Sequence, residues 1–331
     1  MSPDHSLFQT WIQSLAKWHG QLRISAERPY AHAEEQYDAQ YGVTAPIIGE
    51  GQGLCALLQQ SGADTGGPAL EIGCGTGRLT YGLAHHYPGP DFVVTDPSPA
   101  FLRLTASQFP HGAVGPARLH FALLNADDLG QLPAGMFSLI AMRSTLHHIS
   151  HVDEFIAAAA RTLRPGGVLA MSAEPVESGY LLMGVVAQSI APTLKAAGVV
   201  LRPAWEERLA HFSETIRFYC RRDFVKDTVE DKHLFTTHEL SDLGFKRGLH
   251  LRFIPNAAFS EFAPPYLPSF ESFAPFFLNY LRDCMLFDPE FLALIAEHLK
   301  PQLTFIDDCY RSHVGPAVNG VFLFHKAAGS R

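Results

Sequence analysis

A short apolar run, Ala69-Leu70, passes through Glu71 and Ile72 straight into glycines at 73, 75 and 77. Glycines on alternate positions let a chain turn sharply and bring its backbone against a ligand with no Cβ in the way. A run of this kind ends a strand. The helix read over residues 77–86 would aim its free N–H groups and positive dipole end back at the turn. The segment therefore predicts a strand–loop–helix unit for a nucleotide-like ligand and limits the chain to folds that can flank such a unit. It is not the dinucleotide fingerprint. Counted from Gly73, G-x-G-x-x-G requires glycine at 78, where the chain has Arg78.

The flanking sequence repeats a strand–helix rhythm. Strands are expected at 69–72, 91–95, 119–124, 137–142 and 168–172, with helices between them. The helix before the fifth strand reads Ser150 and Asp153 as a capping box and carries the apolar stripe Val152, Phe155, Ile156, Ala159, Ala160 and Leu163. Pro165-Gly-Gly167 stops it. After Glu174-Pro175 the rhythm breaks into helical sequence. It resumes at a second capping box, Thr236 with Glu239, whose helix ends at Gly244, and a strand follows at 249–254. A Phe-, Pro- and Tyr-rich stretch then contains one clear helix, with Asp288 as cap, Pro289 first and Lys300-Pro301 as stop, before a last strand at 320–325.

This alternation predicts an α/β fold: a Rossmann-like, seven-stranded, mostly parallel sheet with helices on both faces. The first sixty residues read as helical, with Leu7, Trp11, Ile12, Leu15 and Trp18 at helical spacing. The chain divides into an N-terminal helical cap segment (1–64), a core (65–175), a helical insertion (176–232), the core continued (233–256), an aromatic-rich insertion (257–316), and the last strand with its tail (317–331). Both insertions fall between sheet strands. They are expected to cap the carboxyl edge of the sheet, where open α/β folds bind ligands, and to act as a lid.

Composition excludes several partners. Hydrophobic content of 47% with 18% charge suits a well-buried globular enzyme. A net charge of −8 argues against nucleic acid. In the most basic stretch Arg208, Arg217, Arg221, Arg222 and Lys226 alternate with Glu206, Glu207, Glu214, Asp223 and Asp227, as on a solvated helix face. The five cysteines (55, 74, 220, 284, 309) form no C-x-x-C pair and suit a reducing compartment. The N-terminus lacks the n- and h-regions of a signal peptide. Residues 179–201, the most apolar long stretch, contain Gln188, Pro192 and Lys195 and fit a buried or lid helix better than a membrane span. The expectation is a cytoplasmic protein with no membrane or nucleic-acid partner.

With an acidic residue two positions before the first glycine, Glu71-Ile-Gly73-Cys-Gly75-Thr-Gly77 resembles motif I of class I S-adenosylmethionine-dependent methyltransferases, (D/E)-x-G-x-G-x-G, at every position. The likeness continues through Leu163-Arg-Pro-Gly-Gly167 and the Thr237 to Phe245 segment, both similar to small-molecule enzymes of the quinone-biosynthesis type. It covers residues 65–175 well and 236–254 loosely. The resemblance implies S-adenosyl-L-methionine as cofactor, S-adenosyl-L-homocysteine as its product, and a small or medium-sized, partly apolar acceptor. It implies that Glu71, Gly73, Cys74, Gly75 and Gly77 face the methionine portion. Asp96, followed by Pro97, would accept bonds from the ribose hydroxyls, each worth roughly 1.5–3 kcal/mol. Asn125, Ala126 and Asp127 would read the adenine edge, and Arg143, after the fourth strand, completes the set. Tyr37 and Tyr41 either cover the sulfonium by cation–π contact or pack a helix before the core.

Methyl transfer is an in-line displacement at an already activated carbon, so the protein mainly aligns the reactants and excludes water. A base is needed only for an acceptor that arrives protonated. His147 and His148, just past the fourth strand, either serve as that base or line the pocket. His147, His148 and His151 do not read as a metal site, because no carboxylate or cysteine ligand lies nearby in the sequence. Pro264-Pro265-Tyr266 is similar to the N-P-P-Y element of DNA amino-methyltransferases, but it has Ala263 before it and follows the wrong strand, so a proline-rich loop is expected. Phe270, Phe273, Phe276, Phe277 and Tyr280 line an acceptor pocket or belong to a core. Cys74 reads as a small loop residue. A nicotinamide oxidoreductase is disfavoured by Arg78 and by the lack of a Ser/Tyr/Lys set, while a non-catalytic protein that keeps the fold and the cofactor site is the alternative.

Overall fold

The computed structural model describes residues 3–18, 21–27, 48–109, 114–221, 231–255, 273–311 and 316–328. Its strands are β1 (Ala16–Trp18), β2 (Gln21–Arg23), β3 (Ala69–Ile72), β4 (Asp91–Asp96), β5 (Arg118–Leu123), β6 (Phe137–Arg143), β7 (Leu163–Pro175), β8 (Leu249–Pro255) and β9 (Asn319–Lys326). They form one sheet in the order β1-β2-β5-β4-β3-β6-β7-β9-β8. From β2 to β7 every neighbouring pair is parallel. β1–β2, β7–β9 and β8–β9 are antiparallel. Every residue of β3 and β4 is buried, as expected where helices cover both faces of a parallel sheet.

The sheet has nine described strands where the sequence led us to expect seven. The seven are β3 to β9. The other two are a hairpin inside the segment read as wholly helical. Helix α1 (Pro3–Ser14) stops early, and three-residue strands are too short to show an alternation. Their signal is tertiary: Leu22 and Arg23 pair with Ala122 and Leu123, and the amides of Ile24 and Ser25 both donate to the Leu123 carbonyl.

The remaining helices are α2 (Gly49–Gln60), α3 (Thr80–His86), α4 (Pro99–Ser107), α5 (Val152–Thr162), α6 (Glu177–Ala196), α7 (Pro203–Cys220), α8 (Thr237–Phe245), α9 (Phe273–Asp283), α10 (Pro289–His298) and α11 (Lys300–Arg311). Thr236 caps α8 and Asp288 caps α10 as read from sequence. The Ser150 box does not form: a 3-10 turn over Leu146–His148 advances the chain, and His151 becomes the N-cap with no side-chain bond. α3 begins three residues after Gly77, so the glycine loop is longer than expected. Lys300-Pro301 ends one helix and opens another, because proline is well tolerated in a first turn.

Two features place the functional cleft. α2 and α3 touch backbone to backbone: a Cβ on Gly82 would lie 2.2 Å from the Ile48 carbonyl oxygen, and one on Gly51 would lie 2.2 Å from the Leu83 nitrogen. This contact holds Glu50 above the loop. The two insertions share a separate hydrophobic core that includes Met183, Ile190, Phe212, Phe277, Phe291 and Tyr310. Trp205 stacks on Phe291 at 4.5 Å and donates from Nε1 to Asp288 Oδ2 at 2.7 Å, tying α7 to the cap of α10. The insertions thus form one helical layer with a core of its own.

Candidate active site

A cleft of about 1050 Å³ opens at the carboxyl ends of β3, β4, β6 and β7, beneath residues of α7 and α9. That volume lies at the upper end of small-molecule sites, roughly 300–1,000 Å³. Its floor is the glycine loop. Gly73, Gly75 and Gly77 have φ of 72°, 52° and 86°. A Cβ on Gly73 would meet Thr145 Oγ1 at 2.7 Å, whereas one on Gly75 would meet none of the described residues beyond its chain neighbours within 4 Å. Gly73 is therefore required by packing as well as by its backbone, and Gly75 by its left-handed backbone alone.

The loop is fixed from beneath. The Cys74 amide donates to the Thr95 carbonyl at 2.9 Å, Thr105 Oγ1 to the Gly75 carbonyl at 2.7 Å, and Gln108 Nε2 to the Thr76 carbonyl at 2.6 Å. Asp96 accepts from the Gly75 amide at 2.9 Å and the Ser98 amide at 2.8 Å. The carboxylate that closes β4 thus braces the loop while bordering the cleft. Cys74 is buried, and burial pushes its thiol far above the usual range, consistent with a small packing residue.

Of the other sequence-derived candidates, Glu71, Pro97, Asn125, Ala126, Asp127, Arg143, His147 and His148 all line the cleft. Glu71 is 1% exposed, and among the described residues its Oε2 has no hydrogen-bond partner. Burial, and after it the charge of Asp96, pushes its carboxyl up to about 8. Asn125 caps the 3-10 turn at Ala126–Gln131 by accepting from the Asp127 amide. Arg143 is engaged: its Nε donates to Glu50 Oε2, and Arg78 Nε donates to the other oxygen at 2.6 Å. Two arginines thus share one carboxylate at the cleft wall. Tyr37, Tyr41, Phe270 and the Pro264-Pro265-Tyr266 segment lie outside the described residues. The aromatic run divides between the two readings: Phe273 and Phe277 are buried in the helical core, while Phe276 and Tyr280 line the cleft.

At the opposite end, two non-glycine residues hold left-handed backbone, Ser144 with φ 46° and Ala173 with φ 55°. Such strain persists only where surrounding structure fixes it, and it collects at functional sites. Between them Glu174, fully buried, accepts from the amides of Thr145 at 2.7 Å, Leu146 at 2.9 Å and His147 at 3.3 Å. It also accepts from His147 Nδ1 at 2.7 Å. Burial alone would lower the His147 pKa, but the Glu174 charge and hydrogen bond outweigh it and raise it. Burial likewise opposes ionisation of Glu174, yet the imidazole and the backbone donors hold its pKa low.

His147 Nε2 lies 3.6 Å from Asp231 Oδ1, and His148 Nδ1 lies 3.3 Å from the same oxygen. Tyr219 donates to Asp231 Oδ2 at 3.4 Å. The segment that carries Asp231 is docked by the Lys232 amide, which donates to the His147 carbonyl at 2.8 Å, and by the Phe235 amide, which donates to the Pro175 carbonyl at 3.0 Å. His151 stands apart, exposed. Sequence reading missed Glu50, Glu174 and Asp231. Glu174 was visible only as a strand end, and nothing local signals that residues 231 and 147 meet.

Residues 70–169 match the methyltransferase-domain family Methyltransf_12. Over this stretch the chain is similar to a methyltransferase domain. Over 165 residues the chain is 27% identical to a malonyl-[acyl-carrier protein] O-methyltransferase of Paenibacillus sp., covering 48% of this chain and 59% of that one. Over 107 residues it is 27% identical to a ubiquinone biosynthesis O-methyltransferase of Xanthomonas oryzae pv. oryzae, covering 32% and 43%. The matched part thus spans less than two thirds of either relative. Among solved structures, Haemonchus contortus phosphoethanolamine N-methyltransferase 2 with S-adenosylhomocysteine aligns over 89% of this chain and 57% of that one, at 16% identity and TM-score 0.47. Among the described residues no helix is long and apolar enough to cross a membrane.

Proposed function

We propose that the chain transfers a methyl group from S-adenosylmethionine to a small, partly apolar acceptor. The observation that carries this reading is the glycine loop on the cleft floor, which turns left-handed at Gly75 and is braced there by Asp96. Asp96 and Pro97 bind the ribose, Asn125 to Asp127 border the adenine, and Glu71 with the loop backbone faces the methionine portion. Its carboxylate end lies toward Arg78 and Arg143. The acceptor occupies the end bounded by His147, His148, Asp231, Tyr219 and Tyr280. The insertions close over it as a lid. Both relatives named above are O-methyltransferases, and a histidine–carboxylate end suits an acceptor oxygen. That acceptor end, with its strained backbone and oriented imidazole, favours an enzyme over a protein that only binds the cofactor.

Glu71 supplies the test. With its carboxyl pushed up to about 8, Glu71 is neutral at pH 6–7 before the cofactor binds. A sulfonium and an ammonium nearby favour the ionised form, so binding releases a proton. Affinity for S-adenosylmethionine is expected to rise between pH 6 and pH 7, approaching tenfold per pH unit. Calorimetry in buffers of different ionisation heat reads the released proton directly, and Glu71→Gln removes the dependence. A pH-independent affinity would count against the assignment of Glu71. Tight binding of NAD, with no binding of either adenosyl ligand, would overturn the whole reading.

A further inference from the structure

We infer that His147, His148 and Asp231 hold a divalent transition-metal ion at the acceptor end of the cleft, with a coordination position left open to the acceptor. The inference rests on the acceptor end proposed above and is independent of the donor end. Three ligand atoms converge there: His147 Nε2, His148 Nδ1 and Asp231 Oδ1 all lie within 4.8 Å of one another. The two nitrogen-to-oxygen separations are 3.6 and 3.3 Å. Both are longer than the 2.7 Å bond from His147 Nδ1 to Glu174 beside them. An ion bound at about 2.0–2.1 Å from each donor in tetrahedral geometry separates its ligands by about 3.3–3.4 Å. Both separations lie close to that edge.

Two ligands are also oriented in the way metal ligands are. Histidines on a metal usually donate their second ring nitrogen to a carboxylate, which fixes the tautomer and strengthens the ligand. Here His147 Nδ1 donates to the buried Glu174 at 2.7 Å, leaving Nε2 toward Asp231. Asp231 Oδ2, the oxygen left over, accepts from Tyr219 at 3.4 Å. Among the described residues whose charges act on His147, and with neutral imidazoles, Glu174 and Asp231 outweigh the ammonium of Lys232 by one negative charge, which a dication reverses. Two imidazoles and one carboxylate suit zinc or a similar borderline ion rather than magnesium, which prefers an all-oxygen shell.

The ion would act as a Lewis acid on a hydroxyl of the acceptor. The acceptor O–H releases its proton to solvent water, and the metal holds the resulting oxygen anion. An oxygen lone pair then forms the new O–CH3 bond. The S–CH3 bond breaks with its electron pair staying on sulfur, so the donor leaves as a neutral thioether.

The test uses the full chain after chelator treatment, titrated with Co2+ and followed in the visible region, with Zn2+ as competitor. One equivalent of Co2+ giving the intense bands of a tetrahedral N/O site, displaced by Zn2+, is expected. His148→Ala and Asp231→Asn, both at partly exposed positions that fold without their side chains, should each weaken binding ~100-fold or more. Glu174→Gln should weaken it by about 10–100-fold through His147. An absence of Co2+ binding tighter than millimolar, or binding that survives both His148→Ala and Asp231→Asn, overturns the site. Titration of the same metal-free protein with S-adenosylhomocysteine reads the donor end separately. Binding there without Co2+ binding removes the metal alone, and Co2+ binding without it removes the donor reading alone.

Discussion

Gly75→Arg is expected to abolish detectable S-adenosylmethionine binding, a loss of at least ~100-fold, while leaving the protein folded. At φ 52° a side chain on this residue costs about 1–3 kcal/mol of backbone strain, well short of unfolding a domain of this size. Among the described residues beyond its chain neighbours, no atom lies within 4 Å of its Cβ position, so the new side chain extends toward the cleft. Gly73→Ala makes the contrast: its Cβ would meet Thr145 at 2.7 Å, and that substitution should lower stability as well as binding. Thermal unfolding and calorimetry on both variants separate the two effects. A Gly75→Arg protein that binds the cofactor within tenfold of wild type would mean that the ligand does not lie on this loop.

The second large effect is on stability. Glu174→Ala should cost about 3–5 kcal/mol, the usual loss when one partner of a buried ion pair is removed. It strands a raised-pKa imidazole and leaves the amides of Thr145 and Leu146 without their acceptor. The sign of the pH dependence follows from the two shifts. His147 titrates higher folded than unfolded, so its contribution is complete below its ordinary value of 6.5 and is lost as pH rises through the folded value. Glu174 titrates lower folded than unfolded, so its contribution is complete above 4.5 and is lost as pH falls through the folded value. The stability gap between wild type and variant should therefore be widest between pH 4.5 and 6.5 and narrow on both sides. Denaturant midpoints of the chelator-treated proteins at pH 5.5 and 8.5 check this. A gap below about 1 kcal/mol, or one unchanged with pH, would show that the pair does not couple in the folded protein.

What could be read from the sequence was the part of the fold built from local periodicity. β3 to β9 announce themselves as short apolar or alternating runs, and Thr236 and Asp288 announce two helix starts, because strand burial and capping are local events. The donor end was legible for the same reason: Glu71 to Gly77 is one contiguous loop, and Asp96 ends the next strand. Other features depend on distant partners. The β1–β2 hairpin owes its existence to the open edge of β5. Ser150 resembles a cap, yet the turn at Leu146–His148, hung on Glu174, shifts the helix start to His151. Glu50 reaches Arg143 across 93 positions, and Asp231 reaches His147 only because its segment docks against the turn at His147 and the end of β7. The acceptor end is assembled from such contacts, which leave no local pattern.

Transfer of a labelled methyl group from S-adenosylmethionine into the low-molecular-mass fraction of an extract from the producing organism tests the central claim most directly. The wild-type protein should transfer label to a product of low mass, and Asp96→Ala and Gly75→Arg should both reduce the signal to background. Transfer that persists undiminished in both variants, or none at all from a wild-type protein that binds S-adenosylhomocysteine, would contradict it.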